Sequence, residues 1–451
     1  MRLRIFKADK GDCLLLTGAD GRNVLIDGGM KDSYTEHVSR TLSGLRRLDA
    51  LYVSHIDRDH VYGLLRMMDD HVDWRVHDFQ VRNGNPTHPE PDSRRPPPVA
   101  KIWQNAFHDQ IGENAGDIQD MLSAQAQVLS GHESSVIQGL ALASADLASS
   151  VGDAIQLSHR ISPDQLDIPI NPEFGGGMMF HTTPAERLSV GGMRFTVIGP
   201  FEDDLKDLRR EWNKWLRDQR DFVARLRRRA REDARRLATS ELEAFLAPFL
   251  ADAAALANAD QRVQDAALAQ SSGPLGRRSR VTVPNLASLM FHVREGQRTM
   301  LLTGDGHWQD VLDGLRLAGL SRSDGTLHVN VLKVPHHGSE HNTSPDFCKA
   351  ITADHYVFCG NGAHENPDLR VVDAYIDSRI GPAARRSSNP EVGRRFRLWF
   401  NYHPDNEQPG RSGVKHRAHL RELARRVRSR DRRSRQMGAT FLTGSSRTLS
   451  V

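Results

Sequence analysis

Four residues that could bind a metal follow one short apolar stretch, and they constrain this chain more than any other feature of its sequence. Residues 51–53 are apolar and predict a buried strand that ends at Ser54. The ligand-type residues that come next are His55, Asp57, Asp59 and His60. Imidazole and carboxylate are the side chains that bind divalent metals without redox chemistry. One histidine beside one aspartate is common on a polar surface, whereas four such residues directly after a strand predict a metal site.

Short apolar strands that end in an acid or a histidine recur along the chain. Such ends come at Asp27, His55, Asp305, His336 and His364. When several strands of one sheet end in ligand-type residues, those residues can converge in a single cleft. Each member also has a simpler explanation, because aspartates beside glycines suit turns and a histidine can lie in a loop. Their recurrence nevertheless predicts one shared site.

The motifs around these residues resemble the metallo-β-lactamase superfamily and, within it, the metallohydrolase domain of ComEC-type DNA-uptake proteins. The matching segments are Gly11-Asp12-Cys13, Leu25-Ile26-Asp27-Gly28-Gly29, His55 to His60, Leu301 to Asp305, Leu332 to Ser339, and the pair Asn285 and Ser288. They fall in residues 1–80, 188–200 and 281–370, less than half of the chain. The resemblance implies an α/β fold, an αββα sandwich with large helical insertions.

The resemblance also implies roles for individual residues. The implied metal ligands are His55, Asp57, Asp59, His60, Asp305 and His336, with Asp305 bridging two ions. His336 is favoured over His337 because it comes first after its strand, which leaves His337 to orient the substrate or support the ligands. Asp59 is expected to accept a proton, so Asp59 and His337 are the expected catalytic residues. Substrate contacts are expected from Asp27, Ser339 and His364.

Two departures from the family pattern concern the metal. Asp57 stands where the family usually has a histidine, and an oxygen-rich site shifts preference from Zn²⁺ toward Mn²⁺ or Mg²⁺. The family's third histidine normally follows the strand near 194–198, yet this strand ends at Gly199-Pro200. His181 could replace it, although a structural histidine also fits that position. One or two divalent ions are expected, with their identity left open.

Composition divides the chain into segments. We expect residues 1–84, 186–200 and 281–410 to form the catalytic domain, because the strands and ligand motifs lie there. Residues 85–185 predict a helical insertion and 201–280 a helical arm with a linker. Residues 411–451 predict an arginine-rich helix and a final strand. The insertions could bind another protein, form a dimer arm or cover the cleft.

The formal net charge is +4, but the basic residues are unevenly distributed along the chain. Residues 411–435 contain 11 Lys/Arg against two Asp/Glu, and residues 206–236 contain 13 against six. Such clusters suggest contacts with phosphate groups, although the first run also suits a solvated helix face. The expected nucleic-acid contacts are Arg421, Arg425, Arg426 and Arg428.

These features predict a metal-dependent hydrolase, a nuclease or phosphodiesterase that uses a metal-activated water. One alternative is hydrolysis of a small ester, lactone or thioester on the same fold. Another is a partner-controlled component of a bacterial multi-protein system, as in phage defence. Three unpaired cysteines suit a reducing compartment, and no stretch is long and apolar enough to span a membrane. We therefore expect a soluble cytoplasmic protein.

Overall fold

Two β-sheets pack face to face, with helices on both outer sides. The computed structural model describes residues 1–105, 153–206, 209–210, 275, 283–406 and 410–451. Within them, the first sheet has the order β14-β1-β2-β3-β4-β5. Its strands are β1 (Arg2–Phe6), β2 (Leu14–Thr17), β3 (Asn23–Ile26), β4 (Ala50–Tyr52), β5 (Ile102–Trp103) and β14 (Ser446–Ser450).

The second sheet is larger and has the order β13-β12-β11-β10-β9-β8-β7-β6 among the same residues. Its strands are β6 (Arg187–Val190), β7 (Met193–Gly199), β8 (Met290–Glu295), β9 (Arg298–Leu302), β10 (Leu327–Lys333), β11 (Ile351–Phe358), β12 (Phe396–Phe400) and β13 (Met437–Phe441). Strands β9 to β13 run parallel to one another, so their carboxyl ends share one edge.

Helices cover both outer faces of the sandwich. They are α1 (Lys31–Ser33), α2 (Ser39–Leu42), α3 (Arg58–Arg82), α4 (Val283–Leu286), α5 (Trp308–Leu317), α6 (Pro345–Ala350), α7 (Leu369–Ile380) and α8 (Gly410–Asp431). A π-helical turn at Tyr34–Val38 joins α1 to α2, and residues 153–161 form a further helical stretch. No helix in the described part of the chain combines the length and apolar character needed to cross a bilayer.

Three apolar cores hold these layers together. The central core lies between the sheets and includes Leu3, Ile26, Phe195 and Phe291. One outer core packs α3 against the first sheet, and the other packs α5 to α8 against the second. Successive residues of a strand point to opposite faces of the sheet, so a strand that is apolar throughout buries side chains on both faces. The predicted α/β class, with helices outside two packed sheets, is confirmed.

The edge that carries the candidate site is fixed by hydrogen bonds between the sheets. β3 runs parallel to β4, so the segments that follow them, at Asp27 and His55, emerge together. Ser54 O accepts a hydrogen bond from Leu289 N at 2.7 Å, and the Tyr52 hydroxyl donates to Leu289 O. The loops after β4 of one sheet and before β8 of the other are thereby held side by side.

The structure differs from the expected segment boundaries at two places. Strand β5 lies within the expected insertion at 85–185 and pairs with β4, so this part of it completes the first sheet. Strand β14 pairs with β1 and β13 pairs with β12. A division at residue 410 therefore separates strands that belong to the same sheets.

Local secondary structure also differs from the prediction near the ligand motif. Helix α3 begins at Arg58, directly within the motif, so Asp59 and His60 lie in its first turn. The end of the chain forms two strands instead of one. Residues 106–152 of the insertion and most of the arm at 201–280 lie outside the described residues, so their helical character and their role in binding partners stay predictions.

Candidate metal centre

Four histidines converge on one carboxylate oxygen. The Nε2 atoms lie 3.3 Å from Asp305 Oδ2 for His337, 3.4 Å for His60, 3.6 Å for His336 and 3.8 Å for His55. Asp305 follows β9, the pair at 336–337 follows β10, and the other two histidines follow β4. Residues that are about 250 positions apart in the sequence are therefore neighbours at one edge of the sandwich.

The opposite ring nitrogen of each histidine donates to an oxygen. The Nδ1 pairs are His60 with Asp27 (2.9 Å), His337 with Asp12 (3.1 Å), His336 with Asn342 (2.7 Å) and His55 with Ser54 (3.1 Å). The Ser54 hydroxyl itself donates to Asp27 Oδ2 at 2.7 Å, so its oxygen can accept from His55. An imidazole that donates through Nδ1 has its lone pair on Nε2, where a metal can bind.

The converging nitrogens fit a divalent metal. The Nε2 atoms of His55, His60 and His337 are buried and have no hydrogen-bond partner in the described part of the chain. Buried polar atoms are rarely left in this condition without a ligand or an ion. Two ligand atoms about 2.1 Å from a tetrahedral ion are about 3.4 Å apart. The measured separations from Asp305 Oδ2 are close to that value.

The ligand-type residues can be divided into two groups that share Asp305. In the first, His55 Nε2 lies 3.4 Å from Asp57 Oδ2, and His336 faces the same bridging oxygen. In the second, Asp59 Oδ2 lies 3.3 Å from His337 Nε2 and 4.0 Å from His60 Nε2. Each group contains two histidines and one aspartate, which is a sufficient donor set for one divalent ion.

The ligand-type residues differ in their access to solvent. The side chains of Asp57 and His336 are 32% and 27% exposed, whereas those of His60 and His337 are 0% and 5% exposed. Asp57 and His336 therefore lie at the opening, and His60 and His337 lie in the protein interior. Of the remaining members, His55 is 2% exposed and Asp59 is 19% exposed. A substrate would reach the centre from the side of Asp57 and His336.

Two supporting residues were not recognised from the sequence. Asp12 has ligand atoms within 4.8 Å of those of His60, Asp305 and His337. Its oxygens are already used, however, because Oδ1 accepts from His337 and Oδ2 pairs with Lys333. We therefore interpret Asp12 as a carboxylate that orients a ligand rather than as a ligand itself.

Lys333 is the second of these residues. Its ammonium group is buried, donates to Gly304 O at 2.9 Å and lies 3.4 Å from Asp305 Oδ1. It thereby holds one oxygen of Asp305 and leaves Oδ2 facing the histidines. A lysine between the apolar residues Leu332 and Val334 was the available signal, since a buried lysine needs a charged partner.

The electrostatics of the cluster favour positive charge. Burial alone would raise the pKa of Asp305, but His337 and His60 hold that pKa well below its usual range. Burial alone would lower the pKa values of His60 and His337, but Asp305 and the neighbouring carboxylates raise both well above the ordinary value. An environment that stabilises cations this strongly suits a metal ion.

The expected difference between His336 and His337 does not appear in the geometry. His337 was expected to orient the substrate, yet it has the same two contacts as His60, a carboxylate on Nδ1 and Asp305 near Nε2. His336 also faces Asp305. The arrangement favours both as ligands, and Asp59 remains the candidate proton acceptor.

Two expected substrate contacts are used elsewhere in the structure. Asp27 is buried and accepts hydrogen bonds from Ser54 N, Ser54 Oγ and His60 Nδ1, so it has little capacity to bind a substrate. Ser339 is buried in the turn after the histidine pair, where its hydroxyl accepts from His341 N. Both residues shape the site instead of facing its opening.

His364 lies where a substrate contact is feasible. Its side chain is exposed, and its pKa is lowered by partial desolvation and by the positive charge of Lys10. The charge of Asp59 opposes this lowering of the pKa, whereas His336 and His337 add to it. By contrast, His181 is buried, donates through Nδ1 to Val197 O, and forms no ion pair with the cluster within the described residues.

The four predicted nucleic-acid contacts lie on α8. Arg425 and Arg426 both bind Glu422, and Arg426 also pairs with Asp373. Arg421 lies 3.6 Å from Asp405, and Arg428 lies over the Phe441 ring. Three of the four arginines are thus partly neutralised by carboxylates, which weakens their attraction for phosphate.

One family model and several solved structures are similar to this chain. A family model described as the metallo-beta-lactamase superfamily matches residues 7–119, less than half of the chain. Similar solved structures include a mutant of the CmlA beta-hydroxylase, at a TM-score of 0.36 and 10% identity, with 100% of this chain and 54% of that chain covered. Zn²⁺-bound PqqB from Methylobacterium extorquens has a TM-score of 0.33 and 10% identity, with both chains covered completely. This chain spans about half of the hydroxylase.

No curated protein matches this chain. The likeness to the ComEC-type branch continues to rest on the sequence motifs.

Proposed function

We propose that this protein is a metal-dependent hydrolase that cleaves phosphodiester bonds, with a nucleic acid as its substrate. The observation that carries the proposal is the convergence of four histidine Nε2 atoms on Asp305 Oδ2. The match of residues 7–119 to the metallo-beta-lactamase superfamily supports the hydrolytic class. The phosphodiester substrate is supported by the positive charge of Lys10 near the opening.

The residues assigned to the metals follow from the two groups. His55, Asp57 and His336 would hold one ion, Asp59, His60 and His337 would hold the other, and Asp305 would contact both. Divalent ions held there, Zn²⁺ or Mn²⁺ with Mg²⁺ as a third candidate, would lower the pKa of water and stabilise negative charge on a phosphoryl oxygen.

The remaining chemistry belongs to the side chains. Asp12 and Asp27 fix the tautomers of His337 and His60, so both rings present Nε2 in one orientation. The side chain of Asp59 is 19% exposed, and its carboxylate would accept the proton of the attacking water.

The opening carries groups suited to an anionic substrate. Lys10 is half-buried and precedes Gly11, which packs directly on the backbone of Asp59, since a Cβ on Gly11 would lie 1.8 Å from Asp59 O. Its positive charge lowers the pKa values of Asp59 and His364. A phosphate that enters beside Asp57 and His336 would be attracted to this charge. Hydrolysis of a small neutral ester would gain nothing from it, and this is why we favour a phosphodiester.

A single set of assays tests the proposal. The purified chain is incubated with plasmid, single-stranded DNA and RNA in Mn²⁺, Mg²⁺ or Zn²⁺, beside Asp59→Ala and the matched surface control Asp313→Asn. We expect metal-dependent cleavage that Asp59→Ala loses by at least about 100-fold and that the control retains. Lack of cleavage of every nucleic acid with every metal would refute the proposal. Activity on ester or lactone substrates alone, without salt dependence, would replace it by the alternative hydrolase.

A further inference from the structure

A basic cleft lies away from the metal centre, at the carboxyl ends of α7 and α8. It has a volume of about 510 Å³, and its lining includes Arg386, Arg430, Arg433, Ser434 and Gln436. No aspartate or glutamate lines it. The cleft brings together two arginine-rich segments, 381–387 and 430–436, which the sequence separates by more than 40 residues.

The charge of this cleft is only partly neutralised. Arg430 pairs with Asp377, which Arg385 also contacts at 3.0 Å. Arg386 and Arg433 are exposed and form no ion pair with any residue that the structure describes. These two guanidinium groups therefore face solvent with their charge uncompensated, unlike Arg425 and Arg426 on α8.

We propose that the cleft lined by Arg386, Arg430 and Arg433 binds the phosphate backbone of a nucleic acid. Guanidinium groups bind phosphate oxygens through paired hydrogen bonds, and arginine remains charged at any physiological pH. Ser434 and Gln436 add neutral hydrogen-bonding groups beside them. Contacts of this kind attract a backbone without reading its base sequence.

The position of the cleft suits a substrate that also reaches the metal centre. Asp368, just before α7, donates its N–H to Gly338 O in the loop of the metal-site histidines, while Ile380 at the other end of α7 lines the cleft. Twelve helical residues span about 18 Å, the length of about five nucleotide steps at 3.4 Å each. In this respect the inference rests on the proposed function, since it assigns a second contact to the same class of substrate.

Helix α8 connects the same two regions. His419 Nε2 contacts Pro367 O at 2.9 Å beside the metal loop, and Arg430 and Arg433 follow at the cleft. Exposed arginines at 421, 425, 428 and 432 recur every three or four residues between these ends. Residues at that spacing share one helix face. Because Asp405 and Glu422 partly neutralise Arg421 and Arg425, the positive charge of this face lies mainly at Arg428 and Arg432, on the side of the cleft.

Binding without cleavage is the appropriate test. The affinity of the full chain for a labelled 20-nucleotide single strand and for the corresponding duplex is measured by fluorescence anisotropy in EDTA, over a series of salt concentrations. The test variant is Arg386→Gln with Arg433→Gln. The matched control is Arg40→Gln with Arg46→Gln, which removes the same charge from exposed positions on the opposite outer layer. Circular dichroism and thermal unfolding confirm that both variants are folded.

We expect the test variant to bind about tenfold or more weakly and to lose about one unit of salt slope for each arginine, relative to the control. Equal affinity and salt slope in the two variants would overturn the proposal. So would a wild-type chain that binds no oligonucleotide, or one that binds only anionic lipid vesicles. The cleavage assay distinguishes this proposal from the proposed function. Binding that depends on Arg386 and Arg433, without any hydrolysis, would refute only the nuclease function. Hydrolysis together with unchanged binding in the test variant would refute only the role of the cleft.

Discussion

At the scale of single residues, the unusual backbone of the histidine pair explains how two neighbours reach one carboxylate. In an extended strand, consecutive side chains point to opposite faces. His336 and His337 instead have φ values of 45° and 55°, in the left-handed region. Such conformations cost on the order of 1–3 kcal/mol in residues other than glycine. Asp27 shares this conformation at φ 52°, so backbone strain is concentrated where ligands are positioned.

Removing the charge of Asp27 should weaken metal binding through His60. In Asp27→Asn, an amide NH₂ group can face Nδ1, which favours the tautomer that places a proton on Nε2. We expect metal affinity to fall by about 10–100-fold, measured by isothermal titration with Zn²⁺ and Mn²⁺. Asp70→Asn is the control, because it removes a buried carboxylate that lies on α3, and it should retain wild-type affinity. Unchanged affinity in Asp27→Asn would show that the contact does not orient the ligand.

Replacing Lys333 tests its role between Asp12 and Asp305. Lys333→Met leaves two buried carboxylates without their cation, and we expect the metal-free protein to lose about 3–5 kcal/mol of unfolding free energy. A bound divalent ion supplies positive charge to the same carboxylates, so metal should restore part of the loss. Denaturant unfolding with EDTA and with metal measures both values. An equal loss in the two conditions would contradict a link between Lys333 and the centre.

At the scale of elements, close packing of α3 on the loop after β3 positions two ligand-type residues. A Cβ on Gly63 would lie 2.0 Å from Gly28 O, and the chains can approach this closely only because both positions are glycine. Asp59 and His60 lie in the first turn of the same helix, one turn before Gly63. Displacement of α3 would therefore move both of them away from Asp305.

Gly63→Ala should accordingly affect both stability and metal binding. We expect a loss of about 1–3 kcal/mol from overpacking, together with weaker metal affinity because the first turn of α3 shifts. Gly393→Ala is the control, since a Cβ there meets nothing within 4 Å. Thermal unfolding and metal titration of both variants measure the effect. Normal affinity in a destabilised Gly63→Ala would separate the packing of α3 from the geometry of the centre.

Asp368, just before α7, should make the free energy of unfolding depend on pH. Burial, with Glu340 and Glu365 nearby, raises the pKa of Asp368 to about 8, although a hydrogen bond from Glu340 N and the charge of Arg370 oppose the shift. The folded state then binds a proton that the unfolded chain has released above about pH 4. Stability should fall as pH rises from about 4 to 8, by at most about 1.4 kcal/mol per unit from this group.

Asp368→Asn should remove that contribution. The amide is uncharged at every pH and can still accept from Glu340 N–H, so the variant should gain stability relative to the wild type as pH rises toward 8. Urea unfolding of both proteins at pH 5, 6, 7 and 8 gives the difference. A difference that stays constant over this range would mean that Asp368 titrates normally.

At the scale of the whole molecule, the centre joins the two sheets. His55 and His60 come from the first sheet, whereas Asp305, His336 and His337 come from the second. An ion bound to both sets binds the folded state only, and it should stabilise that state by about 2.7 kcal/mol when its concentration is 100 times the dissociation constant. Thermal unfolding with EDTA and with each metal tests this expectation. Asp305→Asn should abolish the shift, and a shift that persists in this variant would place the metal elsewhere.

Local sequence was informative wherever the chemistry is local. The apolar strands and the cluster at 55–60 predicted the fold class and the neighbourhood of the site, because strand ends and ligand spacing are read over a few residues. The supporting contacts were not readable in this way. Asp12 and Lys333 meet across more than 300 residues, and Asp27 looked like a turn residue until its three hydrogen-bond donors were known.

The sequence by itself determined that short apolar strands end in His55 to His60, Asp305 and His336, and hence that a metal site at a sheet edge was to be expected. Only the tertiary structure decided the partners of those residues: His337 beside His60, Lys333 on Asp305, and Arg386 opposite Arg433. The reason is physical. Ligand types and strand periodicity are properties of neighbouring residues, whereas burial, ring orientation and the pairing of charges depend on which distant segments the two sheets bring into contact.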